Sequence, residues 1–126
     1  MSRYLLDTRI VYWWMTANPC LGKATQDLIA ESEIIISTAS LWEMTLKNAN
    51  GKLPLPQGSL TQDLQAQGFN LLPITPRHVE VLRLLAYAHP DPFDRLLIAQ
   101  ALDEKLILLT RDTAILALGL AYVEVG

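Results

Sequence analysis

The chain has 126 residues and a mass of 14.1 kDa; 51% of its residues are hydrophobic and its mean hydropathy is +0.23. That suits one domain with a genuine core and excludes intrinsic disorder. The formal net charge is −3, and its ten basic residues are scattered rather than clustered into the footprint that phosphate backbones usually demand. A nucleic-acid substrate would therefore draw much of its local positive charge from bound metal; a basic polypeptide is the other partner this charge admits. No apolar run approaches the ~20 residues needed to span a bilayer. The segment MSRYLLDTRIVYWWM is interrupted by Asp7 and Arg9 and does not have the pattern of a signal peptide. A single cysteine, Cys20, excludes an internal disulfide and a cysteine-based zinc cage. These features together imply a reduced, cytoplasmic protein without membrane association.

In chain order, the pattern predicts a strand over residues 4–6, helices over 9–16 and 22–31, and a strand over 34–36. A helix over 41–50 and a loop over 48–58 follow, then a helix over 59–67 and a strand over 69–72. Helices over 76–88 and 92–104, a strand over 106–109, a helix over 112–118 and a final strand over 122–125 complete the chain. Unbroken apolar runs such as III and LILL suit strands covered on both faces, as in a parallel sheet. The alternating YVEV suits an edge. Thr75-Pro76 and Asp91-Pro92 read as an N-cap followed by an N1 proline, and Gly51, Gly68 and Gly119 suit positions just past helix ends. Alternating strands and helices predict a single three-layer α/β domain over residues 1–126, with a mainly parallel sheet.

Four acids fall where a strand ends or a helix begins: Asp7 in YLLDT, Glu43 in SLWEM, Asp94 in DPFDRLLIAQA and Asp112 in LLTRDT. Ligands in such sheets bind at the carboxyl ends of the strands. Topology places Asp7, Glu43 and Asp112 on that edge, and Asp94 joins them if its helix points the same way. Converging carboxylates raise one another's pKa, and a hard divalent cation with a preference for oxygen relieves that conflict. Each acid also has a purely structural reading. Ser40 and Glu43 are spaced as a capping box, Glu43 and Lys47 as an i, i+4 pair, and Asp91 and Asp112 suit N-caps. Asp94 falls at N3, where the helix dipole favours a carboxylate. His78 and His89 lack metal-ligand spacing and read as exposed or capping residues. Tyr12, Trp13 and Trp14 can stack on bases or pack in a core or a dimer interface. No dinucleotide, P-loop or serine-hydrolase motif occurs.

These segments, with SLWEMTLK and LLPIT between them, resemble the PIN domain from end to end, and look most like the VapC-type toxins of toxin–antitoxin pairs; DPFDRLLIAQA is the most specific piece. The resemblance implies a five-stranded sheet of order 3-2-1-4-5. It also implies that Asp7, Glu43, Asp94 and Asp112 form an acidic quartet binding Mg²⁺ or Mn²⁺, with Thr8, Ser40 and Thr110 as small polar residues near the site. The implied activity is metal-dependent endoribonuclease cleavage by in-line attack of a hydroxide on phosphorus, with Arg9 or Arg95 steadying the developing charge. The implied partners are RNA, a cognate antitoxin and a second copy of the chain, with residues 12–15 and 28–29 as candidate surfaces or, equally, as plain core packing. Arg9 departs from the family pattern, in which Asn is common; its guanidinium either contacts a phosphate or an antitoxin carboxylate, or fills the site. Competing readings are a catalytically degenerate PIN module, a haloacid-dehalogenase-type phosphotransferase and a receiver domain. The last two lack their second acidic position, taken here by Arg9, and the phosphoacceptor after the third strand.

Overall fold

The computed structural model describes residues 2–85 and 89–126. In chain order the elements are β1 (Arg3–Leu6), α1 (Thr8–Met15), α2 (Lys23–Glu31), β2 (Glu33–Ser37), α3 (Thr38–Ala49) and α4 (Leu60–Ala66). Then come β3 (Asn70–Leu72), α5 (Pro76–Leu84), α6 (Pro92–Glu104), β4 (Ile107–Thr110), α7 (Thr113–Leu116) and β5 (Val123–Val125). The five strands form one sheet of order β3-β2-β1-β4-β5, and every pairing is parallel. Leu5 lies opposite both Ile35 and Leu108 at the centre of the sheet.

Side chains of a strand alternate between faces, and here both faces are apolar. Tyr4, Leu6, Ile34, Ile36 and Leu109 join Ile10 and Val11 of α1, Ile29 of α2, Met44 of α3 and Leu64 of α4 in one buried cluster. Leu5, Ile35 and Leu108 join Leu97, Ile98 and Ala101 of α6 and Ile115 of α7 in the other. The chain is thus a helix–sheet–helix sandwich. Of the two readings of Ile29, interface or core, the core holds: it is 1% exposed. None of the described helices is long and apolar enough to cross a membrane.

Most boundaries shift by one or two residues from the sequence reading, and two differ by more. The helix expected from residue 41 starts at Thr38, because Ser37 accepts a hydrogen bond from the Ala39 amide and caps it. Ser40 and Glu43 therefore lie inside the helix and do not form a capping box. Residues 86–88 of the helix expected over 76–88 lie outside the described residues; α5 ends at Leu84. The proline-marked starts hold. Thr75 and His78 form a reciprocal capping box ahead of Pro76, and the Asp91 carboxylate accepts from the Phe93 and Asp94 amides ahead of Pro92.

Candidate metal centre

In a parallel sheet the crossover helices run against the strands, so their N-termini collect on the edge where the strands end. β1 and β4 are neighbours, and the chain leaves them towards opposite sides of the sheet, which makes their carboxyl ends a topological switch point. Asp7 follows β1 directly, and Asp112 follows β4 with only Arg111 between. α3 starts straight from β2 and brings Glu43 in its second turn; α6 leads down into β4 and so presents its first turn, with Asp94, at the same edge. Asp7, Glu43, Asp94 and Asp112 line one cavity of about 400 Å³ together with Thr8, Arg9, Tyr12, Trp13, Lys47, Lys52 and Arg111.

The carboxylates are held by specific partners. Asp7 caps α1 through Oδ1, which accepts from the Arg9 amide at 3.1 Å, while its Oδ2 accepts a hydrogen bond from the Thr110 hydroxyl. The same Thr110 oxygen accepts from the Asp112 amide at 3.0 Å, so one hydroxyl sets the spacing of the two strand ends. Asp112 caps α7 through the Ile115 amide. Glu43 places Oε2 at 2.9 Å from the Lys47 ammonium, and its Oε1 is buried with no hydrogen-bond partner among the described residues. Behind these, Thr8 donates to Ser40 at 2.9 Å and ties α1 to α3. Arg95 is not among the cavity-lining residues.

Burial and mutual repulsion make Asp94 and Asp7 hard to ionise. Burial, then the charges of Asp7, Asp91, Asp112 and Glu43, push the Asp94 carboxyl up to about 8. Burial also raises Asp7, against the opposing hydrogen bonds from Thr110 and Arg9. Asp112 goes the other way: burial pushes it up, but hydrogen bonds from the Ile115 amide and His89 outweigh that and hold it below its ordinary value. An all-oxygen donor set, a buried carboxylate oxygen without a partner among the described residues and a carboxyl raised by burial and its acidic neighbours fit a hard divalent cation.

The chain matches the PIN domain family over residues 4–119. It belongs to that family. This PIN domain is 29% identical to ribonuclease VapC22 of Mycobacterium tuberculosis over 116 residues, 89% of this chain and 88% of that protein. Its fold matches that of VapBC2 from Rickettsia felis bound to a promoter DNA fragment, with a TM-score of 0.66, 14% identity and coverage of 98% and 97% of the two chains. A toxin–antitoxin complex from Klebsiella pneumoniae matches with a TM-score of 0.65, 24% identity and coverage of 96% and 95%.

Two features of this PIN domain go beyond the sequence reading. His78 caps α5, as the sequence allowed, while His89 accepts from the amide of Asp91, the residue that caps α6, and both are buried. His89 reaches the site: its Nε2 lies 3.5 Å from Asp112 and 3.6 Å from Asp94. Its position five residues before Asp94 carried no ligand spacing, and only the turn made by Pro90 and Asp91 brings it back. The aromatic run divides its work. Trp14 packs edge-on against Phe69, whereas Trp13 lines the cavity with the Arg111 guanidinium 5.3 Å above its ring.

Proposed function

We propose that this PIN domain is a divalent-cation-dependent endoribonuclease and the toxin of a toxin–antitoxin pair, with Mg²⁺ or Mn²⁺ held by Asp7, Glu43, Asp94 and Asp112. The observation that carries the reading is the convergence of four carboxylates from four elements on one cavity, with Asp94 raised to about 8 by burial and its neighbours. The relative named ribonuclease VapC22 and the solved toxin–antitoxin complexes support the choice of RNA and of a protein inhibitor.

Bound there, the cation supplies an acidified water and positive charge against the phosphate. The residues of the chain do the rest. Thr110 and the Arg9 amide orient Asp7, and Lys47 holds one oxygen of Glu43 while the other has no partner among the described residues. Arg9 is exposed on the cavity wall and, among the described residues, forms no ion pair with the quartet; this favours contact with a substrate phosphate over filling the site. Lys52 and Arg111 add positive charge to the wall, and Trp13 beside them offers a stacking face for an unpaired base. Single-stranded or looped RNA suits such a cleft better than a paired stem, because splayed bases can reach an aromatic ring. An acidic cavity with a basic rim also accepts an Arg or Lys side chain from an antitoxin. A cytoplasmic location follows from such a substrate and partner.

The test is RNA cleavage in Mg²⁺ or Mn²⁺ and in EDTA, by wild type and by Asp94→Asn with folding checked by thermal melts. Wild type should cleave only with the cation, and the folded variant should lose about 10²-fold or more in rate. Cleavage that persists in EDTA, or survives in the folded variant, contradicts the reading.

A further inference from the structure

His89, Asp94 and Asp112 place ligand-type atoms within 4.8 Å of one another, as do His78, Asp103 and Glu104 on the α5–α6 side of the molecule. Both trios look like three-ligand metal sites. The ring protons argue otherwise. The Asp91 backbone amide donates to Nδ1 of His89 at 3.0 Å, and a backbone N–H can only donate. Nδ1 is therefore the acceptor nitrogen of a neutral imidazole, and the ring proton sits on Nε2. The same holds for His78, where the Thr75 amide donates to Nδ1 at 3.0 Å and Nε2 faces Glu104 at 2.8 Å. A nitrogen that carries a proton has no lone pair for a cation. The His78 trio is a helix-capping network, and His89 points a proton, not a lone pair, at the carboxylates.

The Nε2 nitrogen itself lies 3.5 Å from Asp112 Oδ1 and 3.6 Å from Asp94 Oδ2, so its proton faces both carboxylates. Both distances lie at or beyond the limit of a hydrogen bond, so the ring N–H faces the two oxygens without being committed to either. The two acids come from different elements, the first turn of α6 and the turn after β4. Oδ1 of Asp112 is already the oxygen that caps α7 through Ile115. His89 itself is fixed from behind by Asp91, whose carboxylate caps α6. We infer that His89 is a positioning residue: its Nε2–H faces one oxygen each of Asp94 and Asp112 and so turns their remaining oxygens onto a common cation. The inference rests on the metal reading above and adds to it a neutral donor, which steadies two carboxylates without competing for the ion. Partners that orient metal ligands in this way are typically worth about 10- to 100-fold in metal affinity or activity.

The two amide replacements separate the roles of the two ring nitrogens. In His89→Asn the side-chain carbonyl stands where Nδ1 stood and can keep the Asp91 amide satisfied, but no donor reaches the carboxylates. In His89→Gln an amide NH₂ stands near the place of Nε2. Calorimetry with Mn²⁺ on wild type and both variants, thermal melts in EDTA, and pulsed EPR of the wild-type Mn²⁺ form make the test. We expect His89→Asn to melt near wild type yet bind Mn²⁺ about 10-fold or more weakly, His89→Gln to recover most of that affinity, and the EPR to show no directly bonded nitrogen. Wild-type affinity in His89→Asn overturns the positioning role and leaves the metal reading standing. So does a directly bonded nitrogen, which needs only wild type and makes His89 a ligand. Wild type that binds no Mn²⁺ overturns both.

Discussion

Asp94 sits near a helix N-terminus, where a negative charge gains from the dipole, yet its carboxyl is raised rather than lowered. Burial and four neighbouring acids outweigh the dipole. The consequence for stability has a definite sign. In the metal-free chain Asp94 titrates at about 8 when folded, against an ordinary value of 3.8, so between these values the folded state holds a proton that the unfolded state has released. Its contribution is fully present below the ordinary value and is lost as pH rises through about 8. The raised Asp7 acts in the same direction. Asp112, held below its ordinary value, contributes stability above that value and loses it only at the acid end. Thermal melts in EDTA from pH 5 to pH 8.5 should therefore show Tm falling with pH for wild type. Asp94→Asn should be flatter and should melt above wild type at the alkaline end. A wild-type Tm that is level or rises over this window contradicts the assignment. The four acids were legible because each interrupts an apolar segment at a junction of elements. His89 was not: its role depends on a turn that folds the ring back over α6, and no spacing in the sequence encodes that.

The helices show where local chemistry is informative and where tertiary context decides. Proline after Thr75 and after Asp91 marked two starts correctly, because the ring fixes φ and gives up only an amide that the first turn leaves unpaired. Ser40 misled because Ser37 three residues earlier is an equally good cap, and the sharp turn from β2 into α3 selects the earlier one. Helix faces also bear on assembly. Trp42 and Leu46 stand one turn apart on α3 and are exposed, as are Val79 and Leu84 on α5 and Leu102 on α6. Exposed apolar side chains in such numbers on so small a domain suit a second copy of the chain. Sedimentation at micromolar concentration should give a dimer, and Leu46→Glu combined with Leu84→Glu should shift it to monomer. A wild type that stays monomeric throughout contradicts dimerisation and leaves the nuclease proposal intact.

At the scale of the whole molecule, the alternation of strands and helices was enough to foresee three layers, since unbroken runs such as Ile34–Ile35–Ile36 need cover on both faces. The strand order itself came from resemblance; nothing in a run of valines and leucines says which neighbour it takes. Once that order is in place, the position of the site follows. With β1 central and β4 beside it, one edge of the sheet receives Asp7, Asp112 and the N-termini of α3 and α6. The orientation of α6, which the sequence left open for Asp94, is settled by its direct run into β4. A crystal of the wild-type protein soaked in Mn²⁺ and measured for anomalous scattering tests this convergence most directly. The expected result is a peak among Asp7, Glu43, Asp94 and Asp112, roughly 2.1 Å from carboxylate oxygens. A peak at His78, Asp103 and Glu104 instead, or none at the quartet under saturating Mn²⁺, would contradict a catalytic metal centre there.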